Sequence, residues 1–209
     1  SGVLYIIIGK GPSARTIQLD LPPFTLIAAT TRVSLISSPL RSRFSGGVFR
    51  LEFYSNEEIE KIVDRSSKLL NTELDGGALA EIAKRSRFTP RIANYFLKRV
   101  RDFAQVHKKE LDQKTTREAL NMLGVDDIGL NASDRQFLEI LIEKFNGGPV
   151  GLKTIAAAMS EEDATVEEVI EPYLIQLGLL ERTARGRVAT HKAYEHLGFD
   201  TPEHLQSKL

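Results

Sequence analysis

The apolar positions follow two different periods along the chain, and the change falls near residue 55. Ahead of it, residues 5–8 form an apolar run and residues 9–14 a Gly/Pro-containing turn. Residues 15–21 then alternate, with Thr16, Gln18 and Asp20 opposite Ile17, Leu19 and Leu21. Two extended segments around such a turn predict a β-hairpin. Pro22-Pro23 closes it, and residues 24–29 read as a strand that is apolar on both faces, the kind that parallel sheets bury. A strand of that type needs neighbours, and nothing after Tyr54 supplies another set of them. The chain also opens without a methionine, so the expectation is a chain that starts inside an α/β layer.

Beyond residue 55 the period becomes helical. Ser55 is placed to cap a helix whose first turn carries Glu57 and Glu58 and whose apolar stripe is Ile59, Ile62, Val63 and Leu69. Asp75-Gly76-Gly77 breaks it. A second helix carries Leu79, Ile82 and Ala83, and a third opens at Thr89-Pro90-Arg91 and buries Ile92, Ala93, Phe96, Leu97 and Val100. Residues 111–123 predict a fourth helix, and residues 124–129, rich in Asp and Gly, a linker. Ser133 is expected to cap the next helix, which carries Phe137, Leu138, Leu141, Ile142 and Phe145. After a Gly147-Gly148-Pro149 turn come helices over 152–159 and 166–177, then two short β segments around Ala184-Arg185-Gly186. Three helices followed by a β-turn-β is the order of a winged helix.

Composition narrows the function classes more than it selects one. With 209 residues, 42% of them hydrophobic, the chain has material for a sizeable core in one to three domains. Lys+Arg and Asp+Glu balance at 28 each, so only local clustering could mark a polyanion partner. The absence of cysteine removes disulfides and thiolate metal sites and fits a reducing compartment, so the cytoplasm is the expected location. No apolar run reaches the length of a membrane span or has the flanks of a signal peptide. No G-x-x-x-x-G-K-[ST] occurs; Gly9-Lys10-Gly11-Pro12 has the letters of a phosphate loop without its spacing or a following helix. No apolar strand ends in an acidic pair suited to Mg2+, and His107, His191, His196 and His204 lack ligand spacing.

Four groups of residues could still do chemistry. Thr30 and Thr31 end the predicted strand, where α/β sheets place ligand-facing polar groups, although a strand-end cap is the plainer explanation. Arg41 and Arg43 are two apart, so on a helix or a strand they do not share a direction. Arg91 sits at a helix N-terminus, where a cation opposes the helix dipole unless an anion compensates. Arg182, Arg185 and Arg187 crowd the wing turn, where guanidinium groups can follow phosphates; a solvated basic turn is the plainer alternative.

Taken in order, these groups resemble the later half of an AAA+ ATPase module. The segments IGKGPSARTIQLDLPPFTLIAATTR, SSPLRSRF, RLEFYS, TPRIANYFLKRVRDFA, GGPVGL and EPYLIQLGLLERTARGRVAT together resemble the RuvB family, bacterial branch-migration motors of Holliday junctions. The resemblance covers essentially the whole chain. It implies a mixed α/β, mostly helical fold in three parts: residues 1–54 as the rear of a large ATPase domain, 55–125 as a small helical lid, and 126–209 as a winged-helix DNA-binding head. Residue by residue, Thr31, with Thr30 beside it, matches the sensor 1 position, and Arg43 the arginine finger that enters a neighbouring subunit's ATP site. Arg91 matches sensor 2, Tyr54 a nucleotide-contacting position at the hinge, and Arg182, Arg185 and Arg187 positions that contact DNA.

The hairpin over residues 5–21, with Ile6 and Ile8, resembles the element that docks on a RuvA-type junction-binding protein. The implied cofactor is ATP or ADP with Mg2+, and the implied partners are duplex DNA and Holliday junctions, a RuvA-type protein and a RuvC-type resolvase. The implied assembly is a hexameric ring of like subunits acting in the bacterial cytoplasm, away from membranes. Two departures accompany the resemblance. The phosphate loop and acidic motif of the family do not occur in these 209 residues, so this chain by itself is expected not to hydrolyse ATP. Residues 44–48 are also one longer than the family's spacing between the finger and Arg50-Leu51-Glu52-Phe53-Tyr54. The rival readings are a non-enzymatic winged-helix DNA-binding regulator and a clamp-loader or initiator relative.

Overall fold

A computed structural model describes residues 2–9, 11 and 14–202; Lys10, Pro12 and Ser13 of the predicted turn, and His204, lie outside the described residues. The chain divides into two compact units, Ser1–Leu51 and Glu52–Leu209. In the first, β1 (Val3–Ile8) and β2 (Arg15–Asp20) form an antiparallel hairpin with Ile6 opposite Ile17 and Leu4 opposite Leu19. Directly opposed residues share a face, so Leu4, Ile6, Ile8, Ile17 and Leu19 line one side of the ribbon. All five are exposed.

The strand expected over 24–29 does not form. Those residues have no regular structure and are exposed, Ile27 at 89%. The apolar pattern is compatible with a sheet interior, but a strand exists only through a partner's backbone hydrogen bonds, and the described residues of this unit pair only within the hairpin. A single 3-10 turn at Val33–Leu35 and a four-residue helix α1 (Ser38–Arg41) follow, with Pro39 in its first turn.

The second unit has two apolar cores. The first is built by α2 (Asn56–Leu69), α3 (Gly76–Arg85), α4 (Pro90–His107) and α5 (Gln113–Met122). Ile59, Val63, Ile82, Leu97, Val100 and Leu120 are fully buried there. Each contributes about 1.5–3 kcal/mol relative to exposure. Local signals set the helix starts: Ser55 and Glu58 form a reciprocal capping box on α2, and Asp75 and Asp112 accept the Ala78 and Thr115 N–H groups to cap α3 and α5.

The same core contains a buried ionic group. Arg85, fully buried, uses all five of its N–H donors: two on Glu81 Oε1 at 2.9 and 2.5 Å, and one each on Asn121 Oδ1 at 2.7 Å, the Val125 carbonyl at 3.0 Å and Asp127 Oδ1 at 2.6 Å. Burial pushes the Glu81 carboxyl up, but hydrogen bonds from Arg117 and Arg85 more than reverse this and hold it below its usual 4.5. A carboxylate whose folded pKa is lowered stabilises the fold above its unfolded pKa and loses that contribution as pH falls through the folded value. Stability should therefore fall as pH drops below 4.5, and Glu81→Gln should flatten that limb in denaturant melts taken across it. An unchanged acid limb in the variant would rule out this carboxylate as its source.

The second core joins α6 (Ala132–Glu143), α7 (Leu152–Met159), α8 (Asp163–Thr165), a π turn (Val166–Ile170), α9 (Glu171–Gln176), β3 (Leu180–Thr183), β4 (Gly186–Ala189) and α10 (His191–Leu197). Its fully buried side chains include Phe137, Leu138, Leu141, Ile155 and Leu174. The cap of α6 is Asn131, not Ser133: Asn131 accepts the Asp134 N–H at 3.0 Å while Asp134 accepts the Asn131 N–H at 2.8 Å. Asn131 and Asp134 stand three apart, the spacing that lets both bonds close, whereas Ser133 is already inside the helix.

The helix expected over 166–177 begins earlier, at Asp163, and carries a wide turn. Pro172 has no N–H to return to the carbonyl four residues back, and the Glu171 N–H bonds the Val166 carbonyl five residues back instead. β3 and β4 form the wing hairpin, and Val150 makes an isolated antiparallel bridge to Arg187. Gly186 permits that bridge, because a Cβ there would lie 2.3 Å from the Val150 carbonyl oxygen.

The expected linker over 124–129 is a packed connector. Val125 and Leu130 are buried, and Asp126 Oδ1 accepts the Leu130 and Ile128 N–H groups at 2.8 and 3.1 Å. Gly129 has φ +86°, and a Cβ there would stand 2.6 Å from the Arg85 carbonyl oxygen and 2.8 Å from the Tyr173 hydroxyl. Asp-Gly composition signals a turn, and here the turn is tight because two neighbours close on its backbone. No helix among the described residues is long and apolar enough to cross a membrane.

Candidate functional site

The wing presents its three arginines unequally. Arg182 and Arg187 are direct cross-strand partners in β3 and β4, and both turn onto Glu171, whose side chain is fully buried at the start of α9. Arg187 donates from Nε to Glu171 Oε1 at 2.6 Å and from Nη2 to Oε2 at 3.3 Å, with its side chain only 13% exposed. Arg182 also donates to Glu171 Oε2, and that bond raises its pKa further. Arg185 sits in the turn itself. Its backbone N–H bonds Thr183 Oγ1, Thr183 donates to the Gly186 carbonyl, and the exposed guanidinium makes no ion pair among the described residues. The wing therefore offers one free cation at its tip and two that are braced from beneath by a buried carboxylate.

Arg91 is exposed on the first turn of α4. Unlike its counterparts on α2, α3, α5 and α6, the N-cap residue Thr89 makes no cap bond, because its hydroxyl donates to the Arg87 carbonyl at 2.9 Å. The helix start thus presents backbone N–H groups and a cation together, an arrangement complementary to an anion. Tyr54 is exposed just ahead of α2.

In the first unit, Thr30 Oγ1 accepts the Arg32 N–H at 3.0 Å, a local turn bond, and Thr31 is exposed beside it. Arg43 follows α1, its N–H on the Leu40 carbonyl at 3.1 Å, with an exposed guanidinium that has no ion pair among the described residues. Ile6 and Ile8 are exposed on the apolar face of the hairpin, at 39% and 55%. Thr30, Thr31, Arg43, Ile6 and Ile8 belong to the first unit, and Tyr54, Arg91 and the wing arginines to the second. Among the described residues no group of three or more His, Cys, Asp or Glu is placed to hold a metal ion.

Sequence reasoning passed over the residues that are most heavily engaged. Arg87, between α3 and α4, donates to Asp134 Oδ2 and to the Gly129 carbonyl at 3.1 Å and lies 4.7 Å from the centre of the Tyr173 ring. Burial pushes the Asp134 carboxyl above its usual range although Arg87 pulls it back, and burial pushes the Tyr173 phenol up to about 12. Arg87 (φ 55°) and Phe88 (φ 54°) are both left-handed, a conformation that costs a non-glycine residue about 1–3 kcal/mol. The one available signal was an Arg-Phe pair directly before Thr89-Pro90, in a connection too short to be slack.

A four-helix bundle followed by a winged helix, with a cation at an uncapped helix start and another at the wing tip, is the architecture of an AAA+ lid joined to a winged-helix domain. Comparison with known proteins agrees along the chain. Residues 2–51 match the family model of the Holliday junction DNA helicase RuvB P-loop domain, 54–126 the RuvB AAA lid domain, and 127–198 the RuvB C-terminal winged helix domain. The Holliday junction branch migration complex subunit RuvB of Koribacter versatilis is 56% identical over 98% of this chain and 57% of its own length. The solved Thermotoga maritima RuvB Holliday junction branch migration motor is 47% identical, with a TM-score of 0.79 over 88% of this chain and 61% of that one. A variant of that motor matches at 46% identity and the same TM-score, covering 88% of this chain and 62% of its own. The chain belongs to the RuvB family, and it spans 57% of the length of the Koribacter relative.

Proposed function

We propose that these residues serve, within a longer protein, an ATP-driven motor that moves Holliday junctions along duplex DNA in recombination and repair. Residues 1–54 are read as the rear of the large ATPase domain, 55–125 as the lid and 126–209 as the head. The observation that carries the proposal is the order of four exposed groups: Thr31, Arg43, Arg91 and the wing-tip Arg185. Solved variants of the Thermotoga motor change a threonine and an arginine twelve residues apart, the separation of Thr31 and Arg43 here. That coincidence supports treating the two as one functional set.

In this reading, ATP with Mg2+ would be held chiefly by other parts of the protein, with Arg91 and Tyr54 contributing, and the bound nucleotide would supply the phosphoryl group that is transferred to water. The Thr31 hydroxyl, with Thr30 beside it, orients polar groups at the terminal phosphate by hydrogen bonding. Arg43 reaches the nucleotide of a neighbouring subunit in a hexameric ring and balances negative charge there. Arg91, at an uncapped helix start, binds phosphate oxygens from the lid side, and Tyr54 contacts nucleotide at the lid's beginning. The hairpin face with Ile6 and Ile8 docks on a RuvA-type protein, since exposed apolar side chains in a contiguous row favour a protein partner over water. A RuvC-type resolvase joins the same assembly in the bacterial cytoplasm. The absence of an obvious set of base-reading side chains suits a motor that tracks any sequence.

DNA contact is tested at the wing. Arg185→Ala in the whole protein should weaken duplex binding on any sequence and lower the slope of log affinity against log salt by about 1. Arg187→Ala should instead lower the melting temperature, because it strips a partner from the buried Glu171. An unaltered slope in Arg185→Ala would remove the wing tip from the interface.

A further inference from the structure

The short elbow between α3 and α4 faces two ways. On its lid side it ends at Thr89 and starts the helix that carries Arg91; on its other side Arg87 and Phe88 enter the winged-helix body. Phe88 packs against the winged-helix core. The Arg87 guanidinium donates to Asp134 Oδ2, within the capping box of α6, and to the Gly129 carbonyl, and its central carbon lies over the ring of Tyr173 of α9. Tyr173 in turn donates its hydroxyl to the Ile128 carbonyl at 2.6 Å. One side chain thus touches the first turn of α6, the connector and α9 while it stands three residues before Pro90. A freely jointed head would need none of this, and two consecutive left-handed non-glycine residues persist only where surrounding contacts over-determine them.

We propose that Arg87 is a positioning residue that locks the winged-helix head to the start of α4, so that nucleotide contact at Arg91 and DNA contact at the wing are coupled through one rigid lid-and-head body. The inference rests on the reading of Arg91 and Arg185 given above. A guanidinium suits the task because its planar fork serves an anion and a carbonyl while its face stacks on an aromatic ring; a lysine could keep the charge but neither the fork nor the stack.

Coupling between two ligands is a ratio of affinities and is reciprocal, so it can be measured apart from turnover. In the whole protein, duplex affinity is measured with and without a non-hydrolysable ATP analogue. The wild-type ratio should fall in the usual coupling range of about 5- to 150-fold. In Arg87→Gln that ratio should collapse toward one while the protein still binds each ligand alone. Arg87→Lys should recover only part of it. A structural role without coupling would lower the melting temperature and leave the ratio intact, and that result overturns the proposal.

Asp134→Asn, which can keep the cap of α6 but removes the charge opposite Arg87, provides a second variant should Arg87→Gln not fold. It should reduce the ratio in the same direction. A further readout needs neither nucleotide nor DNA: spin labels on exposed positions of α5 and α6 should give a narrow distance distribution in the wild type and a broad one in Arg87→Gln. A wild type with a narrow distribution but no affinity ratio defeats the motor reading, whereas equally narrow distributions in both proteins defeat the lock itself.

Discussion

Arg43→Ala in the whole protein is expected to reduce DNA-stimulated ATP turnover by about 10³-fold or more, the range in which an arginine acting on a transferring phosphoryl group is felt. The expectation follows from what Arg43 lacks as much as from its place in the chain. It stands just beyond a four-residue helix, exposed, with no carboxylate partner among the described residues. A guanidinium without a partner among the described residues is available to an anion brought by another subunit. Arg43→Lys should not restore the rate, because an ammonium is a point charge and does not reproduce the fork that bridges two phosphoryl oxygens. Mixing settles the geometry. Subunits carrying Arg43→Ala should depress the turnover of wild-type neighbours in the same ring, as a group acting in trans requires. Turnover that stays at the wild-type level in Arg43→Ala would end the assignment.

The largest stability effect is expected at Arg85. Its guanidinium is fully buried with every N–H donor used, and Glu81, its main partner, is 5% exposed. Removing one member of a buried ion pair leaves the other without compensation and costs about 3–5 kcal/mol. At about 2–4 °C per kcal/mol for a domain of this size, Arg85→Ala should melt roughly 6–20 °C lower. Asn121 and the Val125 carbonyl would lose a donor as well. The double variant Arg85→Met with Glu81→Leu should recover much of the loss, because replacing both charges with apolar groups of similar volume is often near neutral. Calorimetry on the four proteins gives the coupling directly, and a loss below about 1 kcal/mol for Arg85→Ala would mean that the buried network contributes little to stability.

Arg85 and Arg87 also mark the limit of what the sequence could reveal. Arg85 occupies the last turn of α3, where a basic residue ordinarily answers the helix dipole from the surface. Nothing local distinguishes it from a solvated cation. Its burial is decided by α5 and the connector, which close over it from 36 to 42 residues further along the chain. The same separation hides Arg87, whose partners Gly129 and Asp134 come from the connector and α6. The wing shows the converse. Its three arginines form an evident cluster in the sequence, but only the fold places Glu171 beneath two of them and leaves Arg185 outward.

Helix starts at Ser55 and Thr89, the winged-helix order and the hairpin are written in short-range patterns, because caps, turns and apolar stripes act within a few residues. The ordered appearance of Thr31, Arg43 and Arg91 is likewise a property of the sequence. Tertiary structure alone decided the fate of residues 24–29, whose strand-like pattern stays irregular and exposed because strand formation is a pairwise event and no strand pairs with it among the described residues. It alone turned an Asp-Gly linker into a packed connector and made the α3–α4 elbow a joint between lid and head. The physical reason is common to these cases: burial and ion pairing depend on residues far apart in the chain, and periodicity carries no record of which distant segment will arrive.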